Sequence, residues 1–324
     1  MKPTSKRIAA ITLLTAVAAG SAWIGYQYRR DINRARSRIA SGSQVISTPC
    51  GSIEYAETGN GPPLLAIHGA GGGFDQGLLL AGPIAKSHRI IAMSRFGYLR
   101  TPAPSHPTIA LQAYAHACLL DALGVQSAAV IAWSAGAPSA LEFALKFPER
   151  CKALILFVPG WFPPERRNLQ RLGPLEAVVF NRFLQSDFFF WALTRFFPSL
   201  SQRTVLGTPP AVVAGATPSE QAQVAALLVQ ISPVSKRHIG LSLEGQMTSE
   251  DLSKPLESIA VPTLAISAED DFYGTYANAQ FIAHHIAHSQ FHGYRTGGHM
   301  LVGHNDDVTS AVLAFLRDRE VIAQ

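Results

Sequence analysis

Ala129-Val130-Ile131-Ala132-Trp133-Ser134-Ala135-Gly136-Ala137-Pro138-Ser139-Ala140-Leu141 is the stretch that decides the fold. It opens as small and β-branched apolar residues, which suits a strand buried on both faces of a parallel sheet. It turns on Ser134, with Ala132 and Gly136 two residues away on either side, and small apolar residues then resume as a helix packed on that sheet would need. A serine in a small-x-Ser-x-small turn between strand and helix is a nucleophile elbow. The flanking positions crowd each other, so both must be small. The serine is held in a strained backbone conformation with its hydroxyl above the sheet. The first N–H groups of the following helix are then available to a developing negative charge.

Working outward, the chain from Ser43 reads as α/β. Gln44–Thr48 and Ser52–Thr58 pair as a hairpin, and the turn Gly59-Asn60-Gly61-Pro62 follows. Pro63–Ile67 is a short apolar strand running into His68-Gly69-Ala70-Gly71-Gly72-Gly73. A helix over Leu78–Lys86, a strand over Arg89–Ser94 and a helix over Thr108–Leu123, stopped by Gly124, precede the elbow. Ala153–Val158 is the next strand. Strands alternating with helices of this length predict a mostly parallel, doubly wound sheet.

The alternation breaks at Pro159. Residues from about 160 to 255 are rich in Phe, Leu, Arg and Pro, with Phe180, Phe183, Phe188, Phe189, Phe190, Phe196 and Phe197 in the first half. Thr217-Pro218-Ser219-Glu220 is a helix start with a capping box. The region reads as a helical insertion of four or five helices, most of whose phenylalanines pack its own core. The doubly wound pattern returns with a strand at Thr263–Ser267, a helix at Tyr276–Ile286, a strand at Phe291–Tyr294 and a closing helix at Asp306–Arg319.

A serine needs a base to take its proton and a group to orient that base. Glu269-Asp270-Asp271 follows one strand and Gly297-Gly298-His299 follows the last, so Ser134, an aspartate and His299 come in that chain order at strand ends. Residues just past the C-terminal ends of parallel strands converge on one edge. His304, near the closing helix, is a second histidine but reads as a surface residue. The glycines after Pro63–Ile67 let backbone N–H groups approach a reacting oxygen, which makes the amides of Ala70 and Ala135 the oxyanion-hole candidates. His68 reads as a loop-holding residue. The same glycines could cradle a phosphate, but the run lacks the Lys-Ser/Thr of a P-loop and does not match GxGxxG. His284, His285 and His288 include an i, i+4 pair, yet no Glu or Cys ligand stands at fixed spacing, so a solvated helix face is the better reading.

On these residues, 52–324 resembles an α/β-hydrolase-fold protein of the esterase and lipase-like superfamily, with a helical cap inserted after the sixth strand. The resemblance selects Asp271 as the acid if Ala268 stands for the Gly of a Gly-x-x-Asp turn, whereas Ser267 in that place selects Asp270. It implies a serine hydrolase, needing no cofactor, that cleaves a carboxylic ester of a fairly apolar substrate through Ser134, His299 and Asp271. Cofactor-free C–C bond hydrolysis and perhydrolase-type (haloperoxidase-like) chemistry use the same triad. A catalytically silent binding protein is the reading outside enzymes. Serine at the elbow disfavours the epoxide hydrolases and haloalkane dehalogenases, which place Asp there.

Composition bounds the partners. The 324 residues are 48% hydrophobic with a net charge of +5, but eight of the basic side chains fall in residues 1–40 beside the single acid Asp31. The remainder carries 19 basic against 21 acidic residues, which disfavours a nucleic-acid footprint. Ile8 to Tyr28 holds no charged residue and ends in Trp23, Tyr26 and Tyr28. Its 21 residues reach about 31 Å as a helix, enough to cross a bilayer core with aromatics at the interface. Lys2, Lys6 and Arg7 would also suit a signal peptide cut after Ala16-Val17-Ala18 or Gly20-Ser21-Ala22. The continued apolar run and the five arginines within fifteen residues of Trp23 favour an uncleaved anchor and lean towards a cytoplasmic catalytic domain. The expected division is an anchor with basic linker over residues 1–42 and a hydrolase domain over 43–324. Cys50, Cys118 and Cys151 form no disulfide framework and read as buried thiols.

Overall fold

Eight strands form one sheet in the order β1-β2-β4-β3-β5-β6-β7-β8. The structure, a computed structural model, describes residues 3–163, 185–247 and 250–322. The strands are β1 (Gln44–Thr48), β2 (Gly51–Thr58), β3 (Pro63–Ile67), β4 (Arg89–Met93), β5 (Ala128–Trp133), β6 (Cys151–Phe157), β7 (Thr263–Ala268) and β8 (Ser289–Tyr294). β1 and β2 pair antiparallel, and β2 joins β4 antiparallel. All pairings from β4 through β3, β5, β6 and β7 to β8 are parallel. The chain therefore has the mostly parallel doubly wound sheet expected of it.

β5 shows why its sequence reads as a continuous apolar run. Val130 and Ala132 enter the core on one face, while Ala129, Ile131 and Trp133 enter the core on the other. Helices α3 (Ile109–Ala122), α4 (Ala137–Lys146) and α10 (Tyr276–His285) supply residues to the first core. Helices α2 (Phe74–Ala81) and α11 (Asn305–Ile322) supply the second. Covering both faces is what an apolar parallel sheet requires.

α2 begins at Phe74, four residues before the sequence signal, and a separate 3₁₀ turn covers Gly82–Lys86. The preceding glycines hide this start from a periodicity reading. Phe74 N–H is taken up by Ser94 Oγ at 3.1 Å, so a side chain from β4's end serves where a local cap would be expected.

Between β6 and β7 the described residues form helices only: α5 (Asp187–Phe196), α6 (Pro198–Thr204), α7 (Pro210–Gly215), α8 (Pro218–Gln230) and α9 (His238–Met247), with short 3₁₀ turns. Phe180 and Phe183 lie outside the described residues. α8 starts at the Thr217/Glu220 capping box. This layer has its own core of Phe190, Leu206, Val213, Val224, Leu228, Ile231 and Val234, joined by Val302 from the sheet side.

The N-terminal helix α1 runs over Pro3–Ser41, beyond the apolar stretch. Arg7 to Trp23 is exposed throughout. The second half packs on the helical layer, with Tyr28 against Phe188 and Trp191 and with Asp31 accepting from Trp191 Nε1 at 3.1 Å. The cysteines correct the sequence reading: Cys50, in the β1–β2 turn, is disulfide-bonded to Cys118 of α3, and Cys151 is a buried free thiol. The 68 positions between the pair gave no spacing signal, since only the folding of α3 over the hairpin brings them together.

Candidate active site

Ser134 sits at the β5–α4 turn with φ +47°, a left-handed backbone angle rare for a residue with a Cβ. Ala132 is fully buried, and a Cβ on Gly136 would stand 2.7 Å from His68 O, so glycine alone fits there. Gly160, just past β6, donates its N–H to Ser134 O at 2.9 Å and fixes the turn from the far side. Ala135 is the second residue of the helical turn that follows β5, where N–H groups have no intrahelical acceptor.

The β3 loop arrives beside this turn. Gly69 donates to Gln76 Oε1 at 2.9 Å, and Gly71 donates to Tyr98 Oη at 3.3 Å. His68 is wholly buried, with Nε2 accepting from Arg95 N–H at 2.9 Å and Nδ1 donating to Gly69 O at 2.7 Å. Burial, reinforced by the Arg95 charge, holds its pKa well below the ordinary value, so the ring is neutral and braces the loop.

The acid turn after β7 separates the two aspartates by role. Asp271 Oδ2 lies 2.8 Å from His299 Nδ1, and it also accepts from Thr275 Oγ1. Its Oδ1 accepts from Tyr273 N–H at 2.8 Å. Burial alone would raise the Asp271 carboxyl, but the His299 charge and these hydrogen bonds outweigh it and hold its pKa below the usual range. Asp270 instead accepts from Gly298 N–H at 2.7 Å and Gly297 N–H at 3.3 Å, tying down the turn that presents His299. Gly298 has φ +60°, and a Cβ there would meet Thr208 Cα at 2.7 Å. Tyr273 packs edge-on against the imidazole, with centroids 4.8 Å apart. With Nδ1 committed to Asp271, Nε2 is the nitrogen left for the cavity. His304 lies elsewhere, donating to Thr296 O at 3.0 Å and stacking on Tyr294.

Ser134, Ala70, Ala135 and His299 line one cavity of about 330 Å³. Its remaining wall is largely apolar, including Trp133, Phe162, Leu206, Leu227 and Ile231, with α8 supplying part of the roof. No lysine or arginine is among its described lining residues. Its one carboxylate, Glu244, pairs with Arg95 at 2.5 Å and accepts from Tyr98 Oη. Among the described residues no group of three or more His, Cys, Asp or Glu could hold a metal ion.

Sequence reading missed Gln76, Thr275 and the Arg95–Glu244 pair. Gln76 had a faint signal, a polar residue three positions after the glycine run. Thr275 stands four positions past Asp271 and also meets Ser267 Oγ at 3.0 Å. Arg95 and Glu244 are 149 positions apart and gave none.

Comparison with known proteins follows the same outline. A family model described as the alpha/beta hydrolase fold matches residues 62–306. The chain is 36% identical over 149 residues to a 2-hydroxymuconate semialdehyde hydrolase of Pseudomonas putida, covering 40% of this chain and 52% of that one. It spans about half the length of the curated relatives it matches. An alpha/beta hydrolase fold protein from Nakamurella multipartita superposes with a TM-score of 0.64 at 25% identity, over 85% of this chain and 99% of the other. A membrane phospholipase A shares the fold over 98% of this chain and 99% of its own, with a TM-score of 0.64 at 19% identity.

Proposed function

The chain belongs to the alpha/beta hydrolase fold family, and we propose that it is a serine hydrolase of apolar carboxylic esters. The observation that carries this reading is the 2.8 Å contact of His299 Nδ1 with buried Asp271, at a cavity shared with strained Ser134. Ser134 Oγ attacks the ester carbonyl while His299 Nε2 takes its proton. Asp271 fixes the imidazole tautomer and stabilises the imidazolium. The Ala70 and Ala135 N–H groups hold the tetrahedral oxyanion, the alcohol leaves with the proton from His299, and water repeats the cycle on the acyl-enzyme.

The second reading is C–C bond hydrolysis, favoured by the partial match to a 2-hydroxymuconate semialdehyde hydrolase. A muconate-derived substrate carries a carboxylate, and the described wall of this cavity offers no cation to hold one. That supports the neutral ester. A fluorophosphonate probe is expected to label wild-type protein and to leave Ser134→Ala unlabelled. Turnover of p-nitrophenyl esters against a vinylogous diketone then separates the two chemistries. Folded wild-type protein that takes no label would overturn the serine mechanism and leave a binding protein.

The exposed first half of α1 is long and apolar enough to cross a bilayer, which supports a single-pass anchor. The basic flank is a poor guide to its direction, because Arg30 and Arg36 pair with Asp31 and Asp187, and Arg38 donates to Gln230 O and Ser232 O. The Cys50–Cys118 disulfide supports a hydrolase domain on the oxidising side of the membrane.

A further inference from the structure

Where α1 meets the helical layer there is a second cleft, of about 530 Å³, separate from the cavity at Ser134. Arg30, Arg34 and Arg38 reach it from α1 and Arg195 from α5. These four guanidiniums face a single carboxylate, Asp31, among the described lining residues. Asp31 is already engaged by Arg30 at 2.9 Å and by Trp191 Nε1. Arg38 donates to two carbonyls, and its Nε lies 3.5 Å from Asp75, which Arg237 already holds. Arg34 makes no ion pair or side-chain hydrogen bond with another described residue, and Arg195 acts on Asp31 only through its charge, without a direct contact. Trp191, Leu228 and Val229 supply an apolar wall. A cleft with excess guanidinium charge and an apolar side fits an anionic amphiphile, since arginine forks match phosphate oxygens while the wall takes hydrocarbon.

Its height on α1 says where that amphiphile comes from. At 1.5 Å per residue, Arg30 lies about 3 Å and Arg34 about 9 Å past Tyr28, the end of the uncharged stretch. The headgroup layer on each side of a hydrocarbon core is roughly 5–7 Å deep, so Arg30 stands within it and Arg34 just past it, within reach of its long side chain. The surface around the cleft agrees. Trp23 (52% exposed), Tyr26, Phe189 (60%), Phe196 and Phe197 present large aromatic surface to solvent. They adjoin the contacts Tyr28–Phe188, Phe188–Trp191 and Trp191–Phe196, the last two of which run into the cleft wall. Aromatic side chains in such a girdle belong at a membrane interface.

We propose that this cleft holds the phosphodiester headgroup of an anionic phospholipid, whose acyl chains lie along the exposed half of α1. The site rests on the reading of α1 as a membrane anchor. Binding seats the helical layer on the bilayer surface and keeps the Ser134 cavity close to membrane-dissolved esters.

The test uses the full chain. Extraction of its membranes with alkaline carbonate first reads the anchor; release into the supernatant overturns anchor and lipid site together. For retained protein, native mass spectrometry from neutral-detergent micelles doped with phosphatidylglycerol or phosphatidylcholine is expected to show one phosphatidylglycerol carried per chain and no phosphatidylcholine. Arg34→Gln with Arg195→Gln removes two exposed charges without breaking a direct ion pair, and is expected to weaken retention roughly tenfold or more. Fluorophosphonate labelling of Ser134 reports folding and the hydrolase reading independently, and stays at the wild-type level. Equal retention of the two lipids, or no loss in the double variant, overturns the proposal. So does displacement of the lipid by millimolar inorganic phosphate, which identifies a site for the free ion.

Discussion

The edge of the sheet and the helical layer above it are assembled by different kinds of information. At the edge, Ser134, Asp271 and His299 each follow a strand within a few residues, and short turns aim them. The parallel sheet then brings them together with no further instruction. The helical layer has no such frame. It is fastened by two arginine–carboxylate pairs that run in opposite directions: Arg95, after β4, reaches up to Glu244 of α9, and Arg237, before α9, reaches down to Asp75 of α2. Both pairs flank the Gly69–Gly73 loop, and Arg237 also donates to Gly72 O. The proposed chemistry is thus encoded in local motifs, while the roof that shapes the pocket is encoded in distant charge pairs.

The largest expected effect tests the local side. Asp271→Asn puts an amide where His299 needs an acceptor, so the ring turns its other nitrogen's proton towards Ser134 and cannot act as base. Ester turnover is expected to fall about 10³- to 10⁴-fold with little change in thermal midpoint. Asp270→Ala removes the acceptor for two turn N–H groups and is expected to cost about 1–3 kcal/mol of stability, with a much smaller loss of turnover. Steady-state kinetics beside thermal melts separate the two. A greater kinetic loss in the Asp270 variant would transfer the acid role and break the division between chemistry and scaffold.

Next comes the long-range side. Arg237 is wholly buried and holds Asp75 through two hydrogen bonds, at 2.7 and 3.1 Å. Arg237→Ala leaves Asp75 to Arg38, whose Nε lies 3.5 Å away, and opens the Gly72 carbonyl. The expected cost is about 3–5 kcal/mol by urea unfolding, because a buried carboxylate loses its main partner. Adding Asp75→Asn should recover part of it. A loss under about 1 kcal/mol would show a pair as weak as a surface one, and the helical layer would need another fastening.

These contrasts explain what the sequence could reveal. The elbow, the Gly-Gly-His turn and the two candidate aspartates were legible because each packs its signal into five or six residues. Asp271 and Asp270 could not be separated on sequence, since either fits a tight turn; only the positions of His299 and of the Gly297 and Gly298 amides distinguish them. Both arginine pairs were silent, as partners far apart in sequence leave no periodic trace, while Gln76 and Thr275 meet near neighbours through turns that carry no periodicity. The start of α2 was missed for a related reason: its first N–H is received by Ser94, twenty positions on.

The disulfide is a third long-range pair, placed on the sheet rather than the roof, and it gives the finest test of the comparison. Cys50 and Cys118 tie the β1–β2 turn to α3. Replacing both by serine frees a loop of 68 positions in the unfolded chain and is expected to cost about 2–4 kcal/mol. Because neither residue lines the cavity, kcat/KM for a p-nitrophenyl ester at 25 °C should stay within about twofold of wild type while the thermal midpoint drops. Protein reduced with dithiothreitol should melt with the double variant, and protein unfolded without reductant should offer only Cys151 to a maleimide. If the double variant lost turnover as well, the hairpin and α3 would be coupled to the sheet edge, and the long-range pairs would shape the chemistry as well as the roof.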